Sequence, residues 1–246
     1  MAEKTITIQA TRFDPDKDAR PHLQSYEIPF IDESMVVLDA LNYIKTHVDG
    51  SLSYRWSCRM GICGSCGMMI NGQSKLSCSA FLRDYWPKPI LVEPLNNFPI
   101  IRDLVIDMED FMHKLKSIKP WIIRKTEIPL GSGEHRQTNA QIDDFRQFSE
   151  CINCMLCYSA CPVYGLNNEF LGPAAIALAR RYNLDSRDEG TKDRLPVIAD
   201  AEGVWECSFV GECSVVCPKG VDPAKAIQQS KLDTSLRFVV PFGNRE

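Results

Sequence analysis

Eleven of the chain's 246 residues are cysteine, and their spacing is the first feature that points to chemistry. An odd number of thiols cannot all pair as disulfides within one polypeptide, and in a reducing compartment closely spaced thiols more often ligate metal. They fall into two groups. Cys58, Cys63, Cys66 and Cys78 lie in the first half, and Cys151, Cys154, Cys157, Cys161, Cys207, Cys213 and Cys217 lie in the second. Two metal-binding regions are expected.

The first group reads C-x4-C-x2-C with a fourth cysteine after eleven intervening residues, the spacing of plant-type [2Fe-2S] sites. Gly61, Gly64 and Gly67 let the backbone wrap tightly and aim N–H groups at sulfur, which raises a cluster's potential. A plain turn would also use glycines, but a phosphate loop fits poorly without its following Lys. Structural zinc sites normally show paired short spacings, which this group lacks.

The second group opens with CINCMLCYSACP, Cys151 to Pro162, a C-x2-C-x2-C-x3-C-P run whose fourth cysteine serves a second cluster. The second run is CSFVGECSVVCP, Cys207 to Pro218, in the same register but with Val210 at the second ligand position. Exchange of the fourth ligands assigns Cys151, Cys154, Cys157 and Cys217 to a [4Fe-4S] cluster. Cys161, Cys207 and Cys213 remain for a cluster with three thiolates. A [3Fe-4S] cluster suits them, and a [4Fe-4S] cluster with water or an exogenous ligand at the open corner is the alternative that thiolate count leaves open.

The elements that must carry these residues are legible around them. KTITIQATRF alternates like a half-buried strand, a second short strand lies around Tyr26 to Pro29, and Asn71-Gly72 suits a two-residue hairpin turn after Met68, Met69 and Ile70. Between them Ser34 can cap a helix that buries Val37, Leu38, Leu41, Ile44 and Val48. Strands, a helix and a cluster loop make an α+β chain whose N-terminal domain, residues 1–105, is expected to be a β-grasp [2Fe-2S] ferredoxin domain. Residues 106–246 are expected to form a mainly α-helical bacterial-ferredoxin-like domain. Its helices are read at Asp107 to Ile118, around Pro173 to Tyr182, and from Pro223 to Leu232 behind an Asp222 N-cap, with a polar loop from Glu127 to Gln141. Each Cys-Pro run is followed by a helix, an internal repeat.

A net charge of −4 leaves no basic excess for a phosphate backbone, so nucleic acid is not an expected partner. No apolar run approaches the ~20 residues of a membrane helix, and the start MAEKTITIQA lacks a signal peptide's apolar core. The expectation is a chain that neither spans a bilayer nor is exported. His22, His47, His113 and His135 are scattered and read as surface residues, and Met60, Met68 and Met69 read as packing around the first cluster loop. Trp56, Trp86, Trp121 and Trp205 read as packing or interface anchors. With three clusters and no acid–base pair, the chain can relay electrons but offers no substrate pocket. A colourless zinc scaffold and a soluble multi-cluster carrier are the competing classes, separated by colour and by co-purifying subunits.

The segments SYRWSCRMGICGSCGMMINGQSKLSC, CINCMLCYSACP, FLGPAAIALARRYN and CSFVGECSVVCPKGVDP resemble the iron-sulfur subunit of the bacterial quinol:fumarate reductase and succinate dehydrogenase family. All eleven cysteines fall at that family's ligand positions. The resemblance implies an electron-transfer subunit of anaerobic respiration on the cytoplasmic face of the inner membrane, peripheral through its anchors. It would sit between an FAD-containing flavoprotein and membrane anchor subunits carrying a quinone. It also implies a quinone border that includes Pro162, Ser208, Phe209, Gln228 and Lys231. There Lys231 would hydrogen-bond a quinone oxygen or stabilise the reduced anion, although alone it reads equally as a solvated helix lysine. Cys66 stands where some succinate dehydrogenases have Asp, and Leu166-Asn167-Asn168 replaces a tryptophan-containing segment, which favours the fumarate reductase branch with menaquinol. Succinate oxidation is the alternative direction.

Overall fold

The computed structural model describes residues 4–239 and contains two compact units. The first comprises residues up to Met108 together with Ile152–Ala160, and the second comprises Glu109–Cys151 and the chain from Cys161 onward.

In the first unit, β1 (Thr5–Arg12) pairs antiparallel with β2 (His22–Pro29). Its alternation buries Ile6, Ile8 and Ala10 on one face, as period-two patterning requires. Helix α1 (Val37–Tyr43) follows, then β3 (Gly67–Ile70), β4 (Gln73–Leu76) and β5 (Ile90–Glu93). The sheet order is β2-β1-β5-β3-β4, with β5 parallel to β1 and antiparallel to β3. Val37, Ala40, Leu41 and Ile44 pack with Met68, Ile70 and Val92 in one core. A two-stranded ribbon, β6 (Ile100–Arg102) and β7 (Val105–Ile106), completes this unit's strands.

Asn71 and Gly72 have φ of 48° and 75°, the left-handed pair that a type I′ hairpin turn demands between β3 and β4. Helix α1 starts later than expected. Its cap is Val36, whose N–H donates to the Asp39 carboxylate at 3.0 Å, and Ser34 is not used. Val48 is 55% exposed, contrary to the helical spacing. The bond from Asp49 N–H to Ile44 O widens the last turn to i→i+5, so Val48 no longer falls over Ile44.

A polar network fixes the approach to the first cysteine loop. Arg12 donates to Asp103 Oδ1 at 3.0 Å, to Tyr26 Oη at 2.6 Å and to Asp49. Asp103, 2% exposed, also accepts from Phe13 N–H at 2.9 Å and Ser53 N–H at 2.7 Å. Strand β1, the chain entering the cysteine loop and the β6–β7 turn thus share one carboxylate.

The other helices in chain order are α2 (Glu109–Ser117), α3 (Asn139–Ser149), α4 (Leu156–Ser159), α5 (Pro162–Leu166), α6 (Pro173–Asn183), α7 (Thr191–Ile198), α8 (Glu212–Val215) and α9 (Pro223–Val239). All except α4 belong to the second unit. Helix α6 is its centre and contacts α2, α3, α7 and α9. Its residues Pro173 to Ala179 are buried without a polar face, as expected of a helix enclosed by others. The Glu127 to Gln141 loop ends earlier than read. Thr138 caps α3 and exchanges hydrogen bonds with Gln141, a capping box that the sequence displays as T-x-x-Q. Helix α7 has no clear signature in the sequence, because Pro196 interrupts its pattern. The fully buried Arg194 on α7 binds both oxygens of Asp188, whose side chain is also inaccessible, at 2.7 and 2.9 Å, and donates to the carbonyls of Ile118 and Trp121.

The two units depart from the 1–105 and 106–246 division. The first extends to Met108, and Ile152–Ala160, read as part of the helical domain, belongs with it. Asn97 Nδ2 donates to Tyr158 O at 3.0 Å and Ser159 O at 3.1 Å, and Ser74 Oγ donates to Ser159 Oγ at 3.1 Å. These bonds hold the segment there.

Candidate metal centres

The loop from Cys58 to Cys66 is shaped by left-handed residues, with φ of 60° at Arg59, 68° at Gly61 and 72° at Gly64. This curl turns N–H groups inward. Those of Met60, Ile62 and Cys63 donate to Cys58 Sγ at 3.4, 3.3 and 3.3 Å, and Cys58 N–H donates to Cys63 Sγ at 3.4 Å. The Cys63 thiol is drawn down to about 6 by the N–H groups of Cys58 and Ser65 and by the Ser65 hydroxyl. Cys78 is pushed up to about 11 by burial, with a hydrogen bond and charge from Cys66 and charge from Cys58 adding to it. Cys58, Cys63, Cys66 and Cys78 therefore stand close enough to feel one another. Ser65 is a hydrogen-bonding residue that spacing alone did not single out.

In the second unit Cys161, Cys207 and Cys213 lie within electrostatic reach of one another. Burial pushes the Cys213 thiol up to about 12, with the charges of Cys161 and Cys207 adding, and burial with the Cys207 charge raises Cys161. Tyr164 N–H donates to Cys161 Sγ at 3.5 Å and Phe209 N–H to Cys207 Sγ at 3.4 Å. Thiols so placed ionise when a metal supplies the compensating charge. Val210, in the same run, is 56% exposed.

The internal repeat extends to the backbone. Asn153 and Met155, on either side of Cys154, have φ of 53° and 64°, and Phe209 and Gly211, on either side of Val210, have φ of 62° and 88°. Met155 precedes α4 and Gly211 precedes α8 in the same left-handed conformation. Cys151 and Cys217 pack against the cluster of Phe148, Ala177, Val221 and Ala226 in the second unit, whereas Cys154 and Cys157 are buried in the first.

The residues expected near a quinone lie in the second unit. Pro162, Ser208 and Phe209 are exposed beside Cys161 and Cys207. Lys231 is not a freely solvated lysine, because its Nζ donates to Cys207 O at 2.7 Å. One turn earlier on α9, Gln228 Nε2 is buried without a hydrogen-bond partner. His22, His47, His113 and His135 are all exposed. Met68 and Met69 are buried in the first unit, but Met60 is 71% exposed, because it lies between the left-handed Arg59 and Gly61 on the outside of the loop.

All-sulfur donor sets, buried thiols and N–H groups aimed at sulfur fit iron–sulfur clusters. A family model described as a 2Fe-2S iron-sulfur cluster binding domain matches residues 7–113, and one described as a 4Fe-4S dicluster domain matches residues 147–221. Fold and site define an iron–sulfur electron-transfer protein. The chain is 62% identical to the fumarate reductase iron-sulfur subunit of Mycobacterium tuberculosis (97% of this chain, 98% of that one) and 54% identical to that of Escherichia coli O157:H7 (98% of each), and it belongs to the family of fumarate reductase and succinate dehydrogenase iron-sulfur subunits. A mitochondrial succinate dehydrogenase [ubiquinone] iron-sulfur subunit of rice is 41% identical over 92% of this chain and 81% of its own length. Among solved structures, a chain of the Mycobacterium smegmatis Sdh1 complex in the apo form matches with a TM-score of 0.81 and 26% identity, covering 98% of this chain and 100% of that one. The chain is thus an electron-transfer subunit of an oxidoreductase complex. Among the described residues no helix is long and apolar enough to cross a membrane.

Proposed function

We propose that the chain carries electrons between a membrane quinol, menaquinol by the sequence reading, and the FAD of a catalytic subunit that reduces fumarate. The observation that carries this is the left-handed backbone repeated around Cys154 and Val210, with Val210 where the first run has its second ligand and Cys161, Cys207 and Cys213 within electrostatic reach of one another. In this reading Cys58, Cys63, Cys66 and Cys78 hold [2Fe-2S]. Cys151, Cys154, Cys157 and Cys217 hold [4Fe-4S], and the trio holds [3Fe-4S]. The clusters supply one-electron redox steps that no side chain here can provide.

The protein's own part is to hold thiolates, donate N–H groups to sulfur and keep water away. The N–H groups around Cys58 and Cys63 stabilise the more negative, reduced state and so raise the potential. Around the trio, exposed Pro162, Ser208 and Phe209 with Gln228 and Lys231 form the edge assigned to quinone. The unpartnered Gln228 amide offers a donor, and the Lys231 ammonium offers positive charge to a reduced ring oxygen. The partners would be a flavoprotein and one or more membrane anchors, which place the chain peripherally on the cytoplasmic face of the inner membrane. Fumarate reduction is favoured over succinate oxidation by the 62% and 54% identities to fumarate reductase subunits against 41% to the rice protein.

Low-temperature EPR of anaerobically purified protein, oxidised and then dithionite-reduced, tests the reading together with iron and acid-labile sulfide counts. An oxidised [3Fe-4S] signal and reduced [2Fe-2S] and [4Fe-4S] signals are expected. A sulfide-free, zinc-loaded protein would overturn it.

A further inference from the structure

Three glycines punctuate the first cysteine loop at positions 61, 64 and 67, and the structure gives each a different reason. Gly61 has φ of +68°, and a Cβ built on it meets nothing within 4 Å, so conformation alone explains it. Gly67 has no positive φ, but a Cβ there would lie 3.1 Å from Cys154 O and 3.1 Å from Leu156 Cδ2. Gly64 combines both: φ is +72°, and its Cβ would lie 2.8 Å from Ile152 O, 2.9 Å from Cys154 Cβ and 3.0 Å from Cys154 Cα. Cβ atoms essentially never come closer than 3.0 Å to a non-bonded heavy atom of a residue that is not a chain neighbour.

The atoms that Gly64 abuts are main chain and a Cβ, not the end of a flexible side chain. A methyl group there could be accommodated only by moving one backbone away from the other. Gly64 lies between Cys63 and Cys66, and the atom nearest it on Cys154 is bonded to that residue's sulfur. The far side of the 152–160 segment is held by Asn97 and Ser74, so the segment cannot simply slide. All these residues belong to the first unit.

We infer that Gly64 and Gly67 are spacing residues. They keep the loop bearing Cys63 and Cys66 in backbone contact with the segment bearing Cys154 and Cys157, and so set how closely the first two clusters approach. This rests on the relay reading. Electron transfer and magnetic coupling both fall steeply with separation, so a displacement imposed here reads out in both.

The test uses the full chain, loaded and purified anaerobically, as wild type, Gly61→Ala, Gly64→Ala and Gly67→Val. Iron and sulfide counts come first, followed by microwave power saturation of the reduced [2Fe-2S] signal with the second cluster oxidised and then reduced. Wild type and Gly61→Ala should show fast relaxation of that signal once the second cluster is reduced, because Gly61→Ala bears the same left-handed strain without the contact. Gly64→Ala and Gly67→Val should keep their iron, yet saturate at measurably lower power than wild type. If Gly64→Ala fails to load, Gly67→Val decides the matter, since it carries no left-handed strain. Wild-type relaxation in a loaded Gly64→Ala or Gly67→Val protein would overturn the inference, as would equal loss of coupling in Gly61→Ala. A wild type that lacks the reduced signals would instead remove the relay reading, and this inference with it.

Discussion

Replacing Val210 with Cys supplies the thiolate that the second run lacks. The flanking residues already have the ligand-loop conformation, with φ of 62° and 88° against 53° and 64° beside Cys154, so the new sulfur needs no backbone rearrangement. Val210 is 56% exposed, so little packing is lost, and the folding cost should stay within about 0.5 kcal/mol. Conversion of [3Fe-4S] to [4Fe-4S] adds one iron per chain and no sulfide. The expected result is therefore iron up by one, sulfide unchanged, and the oxidised [3Fe-4S] EPR signal gone. Val215→Cys is the control, an exposed thiol in the same run but out of ligand register, and it should change neither count. An unchanged iron count and a persistent oxidised signal in Val210→Cys would refute the assignment of Cys161, Cys207 and Cys213 to an open-cornered cluster.

Lys231→Leu should lower quinol-dependent turnover of the assembled complex while leaving its iron content intact. Loss of a charge-assisted hydrogen bond of about 1.5–3 kcal/mol corresponds to roughly tenfold to hundredfold, and wild-type turnover would exclude the role. Burial alone would raise the Asp188 carboxyl, but Arg194 and the N–H groups of Ile123 and Gly190 outweigh it and hold the pKa below its usual value. Its contribution is thus present above the unfolded value of about 3.9 and lost as pH falls through the lower folded one. Asp188→Asn should cost about 3–5 kcal/mol near neutrality, and its gap from wild type in denaturant melts should narrow below about pH 4, whereas a pH-independent gap would contradict this. Asn97→Gly keeps the left-handed backbone at φ 68° but removes the donor to Tyr158 O and Ser159 O. At about 0.5–1.5 kcal/mol for each of the two bonds, hydrogen exchange in 152–160 should quicken by roughly fivefold to a hundredfold, and unchanged protection would show that the clamp does not matter.

The cysteine spacing marks out the candidate site in the sequence, because ligand order along the chain is a chemical constraint that does not depend on packing. Hairpin and helix signals carried much of the fold, as at Asn71-Gly72 and at Asp222, whose Oδ1 accepts Lys225 N–H at 2.9 Å. Other features needed three dimensions. Helical spacing puts Val48 on the buried face, but one wide turn changes the helical phase, and Pro196 interrupts the pattern of α7. The placement of 152–160 in the first unit depends on Asn97 and Ser74, polar residues whose partners lie 61 and 85 positions away. Periodicity has no access to such contacts. The T-x-x-Q box before α3, by contrast, is legible in the sequence and marks where the loop ends.

Backbone conformation ties these observations together. Of the eight non-glycine residues with positive φ among those described, Arg59, Asn153, Met155 and Phe209 lie inside cysteine runs. Arg, Met and Phe gain nothing locally from that conformation, which costs of order 1–3 kcal/mol each. Such residues persist when their surroundings demand the geometry, and the common surroundings here are thiols held at fixed spacing. Phe209 is the telling case, because it flanks Val210 and not a ligand. The run keeps the ligand-loop conformation at a position without a thiol, as expected if the loop wraps a cluster whose fourth corner faces Val210. A loop selected only to end a strand or cap α8 would have no reason to repeat the angles found around Cys154.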